Sequence, residues 1–131
     1  MKGSYILVIY ISEINEVTIG SLGNIIFNKG FYLYIGSAMG SYGSSTLENR
    51  VKRHISKSKF KKTHWHIDYL LNFEGSIITR IYLIPSISSL ECIIAKEIMA
   101  LSDSKIENFG SSDCSCSSHL FYFKNFKEFR Y

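Results

Sequence analysis

Ser4–Ile11 reads SYILVIYI and Phe31–Ile35 reads FYLYI. Both runs are apolar, rich in β-branched and aromatic residues, and short, so each reads as a core strand. Working outward, Val17–Ile19 and Ile25–Phe27 flank Gly20-Ser21-Leu22-Gly23-Asn24 and read as a small hairpin. Ile77–Ile84 (IITRIYLI) reads as a third core strand ended by Pro85, and Leu120–Phe123 (LFYF) as a last one. Leu47, Val51, His54 and Ile55 recur at helical spacing, which predicts an amphipathic helix over Leu47–Lys57 capped by Ser45 or Thr46. His64–Leu71 predicts a second helix. Ser88-Ser89-Leu90-Glu91 has the form of a capping box opening a third helix to about Leu101. The order is too irregular for a doubly wound parallel sheet. It predicts one α+β domain over 1–131, with a small, mainly antiparallel sheet of three core strands plus an inserted hairpin, flanked by helices.

Composition agrees. At 131 residues, 46% of them hydrophobic, with one Pro and nine Gly, the chain is a single domain's length and neither disordered nor collagen-like. No apolar run approaches the ~18–20 residues of a membrane span. Met1–Ser4 runs straight into the first strand without a cleavage signal, so a soluble cytoplasmic protein is expected.

The net charge of +4 is concentrated in one place. Between Asn49 and Ile67 lie seven cations (Arg50, Lys52, Arg53, Lys57, Lys59, Lys61, Lys62) and no acids, while the rest of the chain carries eight cations against eleven acids. Such a stripe, with Trp65 beside it to stack on bases, suits a polyanion, DNA or another nucleic acid. A solvated helix face followed by a lysine-rich turn is the plainer alternative.

Three cysteines do not make a disulfide framework. Cys114, Cys116 and His119 have the donor types for structural Zn2+. Their spacing is not a common finger pattern and no second Cys pair supplies a fourth ligand, which leaves His64, His66 or Asp113 as candidates for it. The simpler reading is buried cysteines, with His119 hydrogen-bonded near His64, His66 and Asp68.

Several blocks together resemble the GIY-YIG nuclease superfamily. They are Gly3-Ser4-Tyr5 on the first strand, Tyr34-Ile35-Gly36 on the next, and Leu47 to His54 on the following helix. The chain is most similar to a branch of small prokaryotic, largely archaeal proteins, some of them fused to a DNA-repair endonuclease. That branch also shows the Gly36–Gly40 stretch, a W-H-I-D-Y-L block (Trp65–Leu70), an E-C-x-x-A helix (Glu91–Ala95) and the Phe109–Leu120 block. The middle residue of the first motif is Ser4 rather than Ile, and the hairpin lengthens the interval from Tyr5 to Tyr34.

The resemblance implies phosphodiester hydrolysis assisted by Mg2+ or Mn2+. It assigns catalytic roles to Tyr5, Tyr34 and Arg50, with His54 on the same helix face as Arg50. It assigns the metal to Glu91. Glu91 is also explained by the capping box, and Glu97, which the helical period places among Leu90, Ile93, Ile94, Ile98 and Leu101, is the rival ligand. The expected function is thus a DNA endonuclease, linked to repair. The alternatives are a non-catalytic nucleic-acid-binding module of the same fold and a zinc-stabilised interaction domain.

Overall fold

The computed structural model of the chain describes residues 1–56, 63, 65–111 and 116–129. Lys57, Lys59, Lys61, Lys62, His64, Asp113 and Cys114 of the sequence reading lie outside the described residues.

The Ser4–Ile11 run becomes β1, Gly3–Ile11, at the heart of the sheet. It pairs antiparallel with β4 (Gly30–Ala38) on one side and β5 (Ser76–Pro85) on the other. Beyond β4 come β7 (Leu120–Phe123) and β6 (Ser104–Lys105), giving the order β5-β1-β4-β7-β6. Strands β2 (Asn15–Thr18) and β3 (Asn24–Phe27) form the expected hairpin as a separate two-stranded sheet. Every pairing is antiparallel. The fold is therefore α+β as the sequence predicts, with the three core strands widened to a five-stranded sheet.

A strand buried on both faces must be apolar throughout, which explains the near-continuous run in β1. Its odd-numbered side chains Tyr5, Leu7, Ile9 and Ile11 enter one core. There they meet Leu47 and Val51 of α1 (Leu47–Ile55), Ile67 and Leu70 of α2 (His66–Asn72), and Phe27 of the hairpin. Ile6 and Val8 enter the opposite core, with Ala95 and Ile98 of α3 (Glu91–Leu101) and with Phe126 and Phe129 of the C-terminal segment.

Helix α1 ends at Ile55 rather than Lys57, and Thr46 caps it by accepting from the Asn49 amide. Helix α2 starts at His66, where the Asp68 carboxylate accepts from the Trp65 amide. The expected capping box of α3 does not form. The N-cap is Leu90, which offers no side-chain cap, so Glu91 is the first helical residue and its carboxylate is turned elsewhere. The expected face of α3 is also rotated. Ala95 and Ile98 are buried with Ile94 partly so, whereas Ile93 and Leu101 are exposed. Glu91 shares the inward face, one turn before Ala95, and Glu97 is exposed. No helix among the described residues is long and apolar enough to cross a membrane.

Candidate active site

In the β1–β4 register Leu7 opposes Tyr34 and Tyr5 opposes Gly36, which puts Tyr5 and Tyr34 on one face of neighbouring strands. Their ring centroids are 6.3 Å apart. The Tyr5 ring lies across the Gly36 backbone. A Cβ on Gly36 would fall 2.7 Å from Tyr5 Cε2 and closer still to Cζ and the hydroxyl, so only glycine fits. Tyr34 in turn packs on Gly110, whose φ of 68° also favours glycine.

With Arg50, Trp65, Ser37, Glu91, Gly110 and His119, these residues line a cleft of about 180 Å³. A larger groove of about 1000 Å³ between the ends of α1 and α2 and strand β5 includes His54 but none of Tyr5, Tyr34, Arg50 or Glu91.

Arg50 reaches the cleft from α1. Its Nη1 donates to the Ser37 carbonyl at 3.0 Å, and its Nε is buried with no hydrogen-bond partner among the described residues. A buried guanidinium N–H without an acceptor, on a residue that lines a cleft, is a donor awaiting one. Arg50 and Arg53 both lie over the Trp65 ring, at 4.8 and 4.6 Å from its centroid. Arg53 makes a two-pronged pair with Asp68, Nη1 to Oδ1 at 2.8 Å and Nη2 to Oδ2 at 3.0 Å. Asp68 is fully buried and Arg53 about a quarter exposed. Trp65 lines the cleft, and its ring is also the platform that orients the two arginines. Arg53 is committed to a carboxylate, and Lys52 is exposed on α1.

His54 is 2% exposed and lies deeper than Arg50, with Nε2 at 2.7 Å from the Tyr5 hydroxyl. It does not line the cleft but meets three residues that do, Tyr5 by this hydrogen bond and Tyr34 and Trp65 by ring contacts. Burial, then the neighbouring Tyr34 hydroxyl, push the Tyr5 pKa well above the ordinary phenol value. Arg50 opposes this, and Glu91 and Asp68 add to it. Tyr34 is raised mainly by burial, then by Glu91 and Asp68, again against Arg50. Both are therefore neutral hydroxyls near neutral pH, able to donate to an anionic oxygen.

Glu91 enters from the first turn of α3. Ser37 Oγ donates to Oε2 at 2.7 Å, and His119 Nδ1 lies 2.7 Å from Oε1. Burial raises the Glu91 pKa, but the hydrogen bonds of His119 and Ser37 and the charges of His119 and Arg50 outweigh it and hold the carboxyl below its usual value. Of the expected grouping of His119 with His64, His66 and Asp68, His64 lies outside the described residues. His119 pairs with Glu91, Asp68 with Arg53, and His66 Nδ1 accepts from the Gly110 amide at 2.9 Å.

The sequence reading missed Cys92, next to Glu91. Cys92, Cys116 and His119 bring one donor atom each within 4.8 Å of the other two, a group that could hold a metal ion. Sequence could have flagged Cys92 as a third thiol of unassigned role, but not its partners, which lie on a distant segment.

No curated protein and no solved structure matches the chain. A family model described as "Domain of unknown function DUF123" matches residues 4–130, nearly the whole length, and the chain belongs to that family.

Proposed function

We propose that the chain is a metal-dependent endonuclease-like domain of GIY-YIG type that hydrolyses phosphodiester bonds in DNA, linked to repair. The observation that carries this reading is the convergence of Tyr5, Tyr34, Arg50 and Glu91, from four separate elements, on one cleft. Hydrolysis needs a group that moves a proton from water, donors for the charge that builds on phosphorus, and a counter-charge for the scissile phosphate.

Arg50, with an unused Nε–H, clamps a phosphate oxygen. Tyr34 and Tyr5, both protonated, donate to or orient oxygens on the reacting side. His54, hydrogen-bonded to the Tyr5 hydroxyl, gives that phenol a route for its proton. Glu91 is the residue that would hold Mg2+ or Mn2+. Its carboxylate faces the cleft, and each oxygen keeps a lone pair beyond the bond it accepts. The metal would supply neutralisation of the phosphate and a more acidic water. The basic segment from Arg50 to Lys62 supplies the DNA affinity.

A second reading, a module that binds DNA without cutting it, is favoured by the engagement of both Glu91 oxygens by Ser37 and His119. Arg50→Ala separates the two. Wild type should cut branched, nicked or single-stranded DNA with Mg2+ or Mn2+ and stop on chelation. The variant should lose ~10²–10³ in rate, the usual cost of one positioned donor, with binding nearly unchanged. Wild type that binds but never cuts with any divalent metal sinks the enzyme reading and leaves the binding module. A variant that cuts normally sinks this assignment of the site.

A further inference from the structure

Cys92 sits in the first turn of α3, while Cys116 and His119 precede β7. The two segments are far apart in sequence, yet their three donor atoms lie within 4.8 Å of one another. Cys92 and Cys116 are thiols rather than disulfide partners, both half-buried, and His119 is buried. Around a tetrahedral zinc, with Zn–S of ~2.3 Å and Zn–N of ~2.0–2.1 Å, donors stand ~3.5–3.8 Å apart. The observed spread is thus about an ångström from a loaded site, within the reach of side-chain rotation.

Backbone hydrogen bonds hold the segment in place. The Asn108 amide donates to the Ser117 carbonyl and the His119 amide to the Phe109 carbonyl, each at 2.8 Å. The donor types decide the metal. Two thiolates and an imidazole select zinc, whereas a hard carboxylate with waters selects Mg2+ or Mn2+. Glu91 Oε1 engages His119 Nδ1 at 2.7 Å, so a metal held by this histidine would take Nε2. A carboxylate on the far nitrogen of a ligand histidine is the usual support of a zinc site.

We propose that Cys92, Cys116 and His119 bind one zinc ion, and that this ion clamps the first turn of α3 to the entry of β7, fixing Glu91 at the cleft through His119. Zinc displaces the thiol protons as it binds, so uptake releases protons to the buffer. Among the described residues three donors meet, and a tetrahedral ion takes one further ligand. Zinc binding here does not require that the cleft cut DNA, so the two readings fail separately.

The test is titration of the metal-stripped, reduced full chain with Co2+ under anaerobic conditions. One equivalent should give the thiolate-to-cobalt charge-transfer band and the visible bands of tetrahedral cobalt, with Zn2+ displacing them. Cys92→Ser and Cys116→Ser should abolish the charge-transfer signal or halve it. Glu91→Gln should keep the band while metal affinity falls ~10–100-fold, the usual cost of losing such a supporting partner. Because a cysteine variant can fail to fold, wild type is also alkylated with and without Zn2+ and mapped by peptide mass spectrometry. Cys92 and Cys116 should both be protected. Absence of the band in wild type, a full band in folded Cys92→Ser, or unprotected Cys92 in the presence of Zn2+ overturns the proposal.

Discussion

Gly36→Ala tests the packing that brings the two tyrosines together. The new methyl would fall 2.7 Å from Tyr5 Cε2 and nearer still to Cζ and the hydroxyl, while Tyr5 is only 2% exposed. The ring must swing away, because Gly36 lies inside the β1–β4 ladder, which holds the backbone on both sides of it along the strand. Overpacking of this kind costs about 1–3 kcal/mol. Swinging the ring also breaks the 2.7 Å Tyr5–His54 hydrogen bond, a further loss of about 1 kcal/mol. The expected total is about 2–4 kcal/mol, or a fall in Tm of about 7–14 °C for a chain of this length. The assay is a double-mutant cycle by urea unfolding with Tyr5→Leu. If the methyl and the ring collide, the double variant should be more stable than additivity predicts by about 1–3 kcal/mol. Additivity within about 0.5 kcal/mol, or a Tm change of Gly36→Ala below about 2 °C, would refute the placement of the Tyr5 ring over Gly36.

Asp68→Ala removes the acceptor of both Arg53 prongs and of the Trp65 amide. It should cost about 2–3 kcal/mol by denaturant melts, below the 3–5 typical of fully buried pairs because Arg53 is partly exposed. Stability should also decline in strong alkali. Tyr5, Tyr32 and Tyr34 all have pKa values raised in the fold, chiefly by burial, whereas unfolded tyrosines ionise near about 10. The unfolded state therefore loses protons first, and the stabilisation is whole below that value and drains away as pH rises beyond it. Urea midpoints between about pH 8 and about pH 11.5 that stay level would contradict the burial of these phenols. Replacing Lys59, Lys61 and Lys62 by Ala should flatten the dependence of log Kd for duplex DNA on log salt by about 2–3 units, and an unchanged slope places the binding surface elsewhere.

What the sequence revealed about this fold follows from how local each signal is. Strands β1 and β4 were plain because burial on both faces demands apolar runs, and β7 was found to the residue. Helix α1 was legible from its period because Leu47, Val51 and His54 all point inward. Helix α3 misled because apolar residues surround it. Ile93 and Leu101 counted toward a core face that the structure turns outward, and the same face made Glu97 the rival to Glu91. The two-residue β6 depends on backbone pairing with β7 and carries no side-chain signature. At the site, Tyr5, Tyr34, Arg50 and Glu91, which the resemblance to a known family singles out, line one cleft, whereas His54 lies behind it. The pairings of His119 with Glu91 and of Asp68 with Arg53, and the company Cys92 keeps, join distant segments and have no periodic trace.

The strand order has a consequence for how the chain acquires its chemistry. The first strand made, β1, finds its β5 partner only far downstream, with Tyr5 opposite Leu83, and β4 waits longer still for β7, with Tyr34 opposite Leu120. Pairings over such separations must overcome loop-closure entropy before they gain contacts, which slows folding toward the ms–s range. During synthesis the phenols and the guanidinium emerge well before Glu91 and His119. The cleft therefore has no partial version on a growing chain. It is complete only once Glu91, Gly110 and His119, the last of its lining residues along the chain, have joined the others.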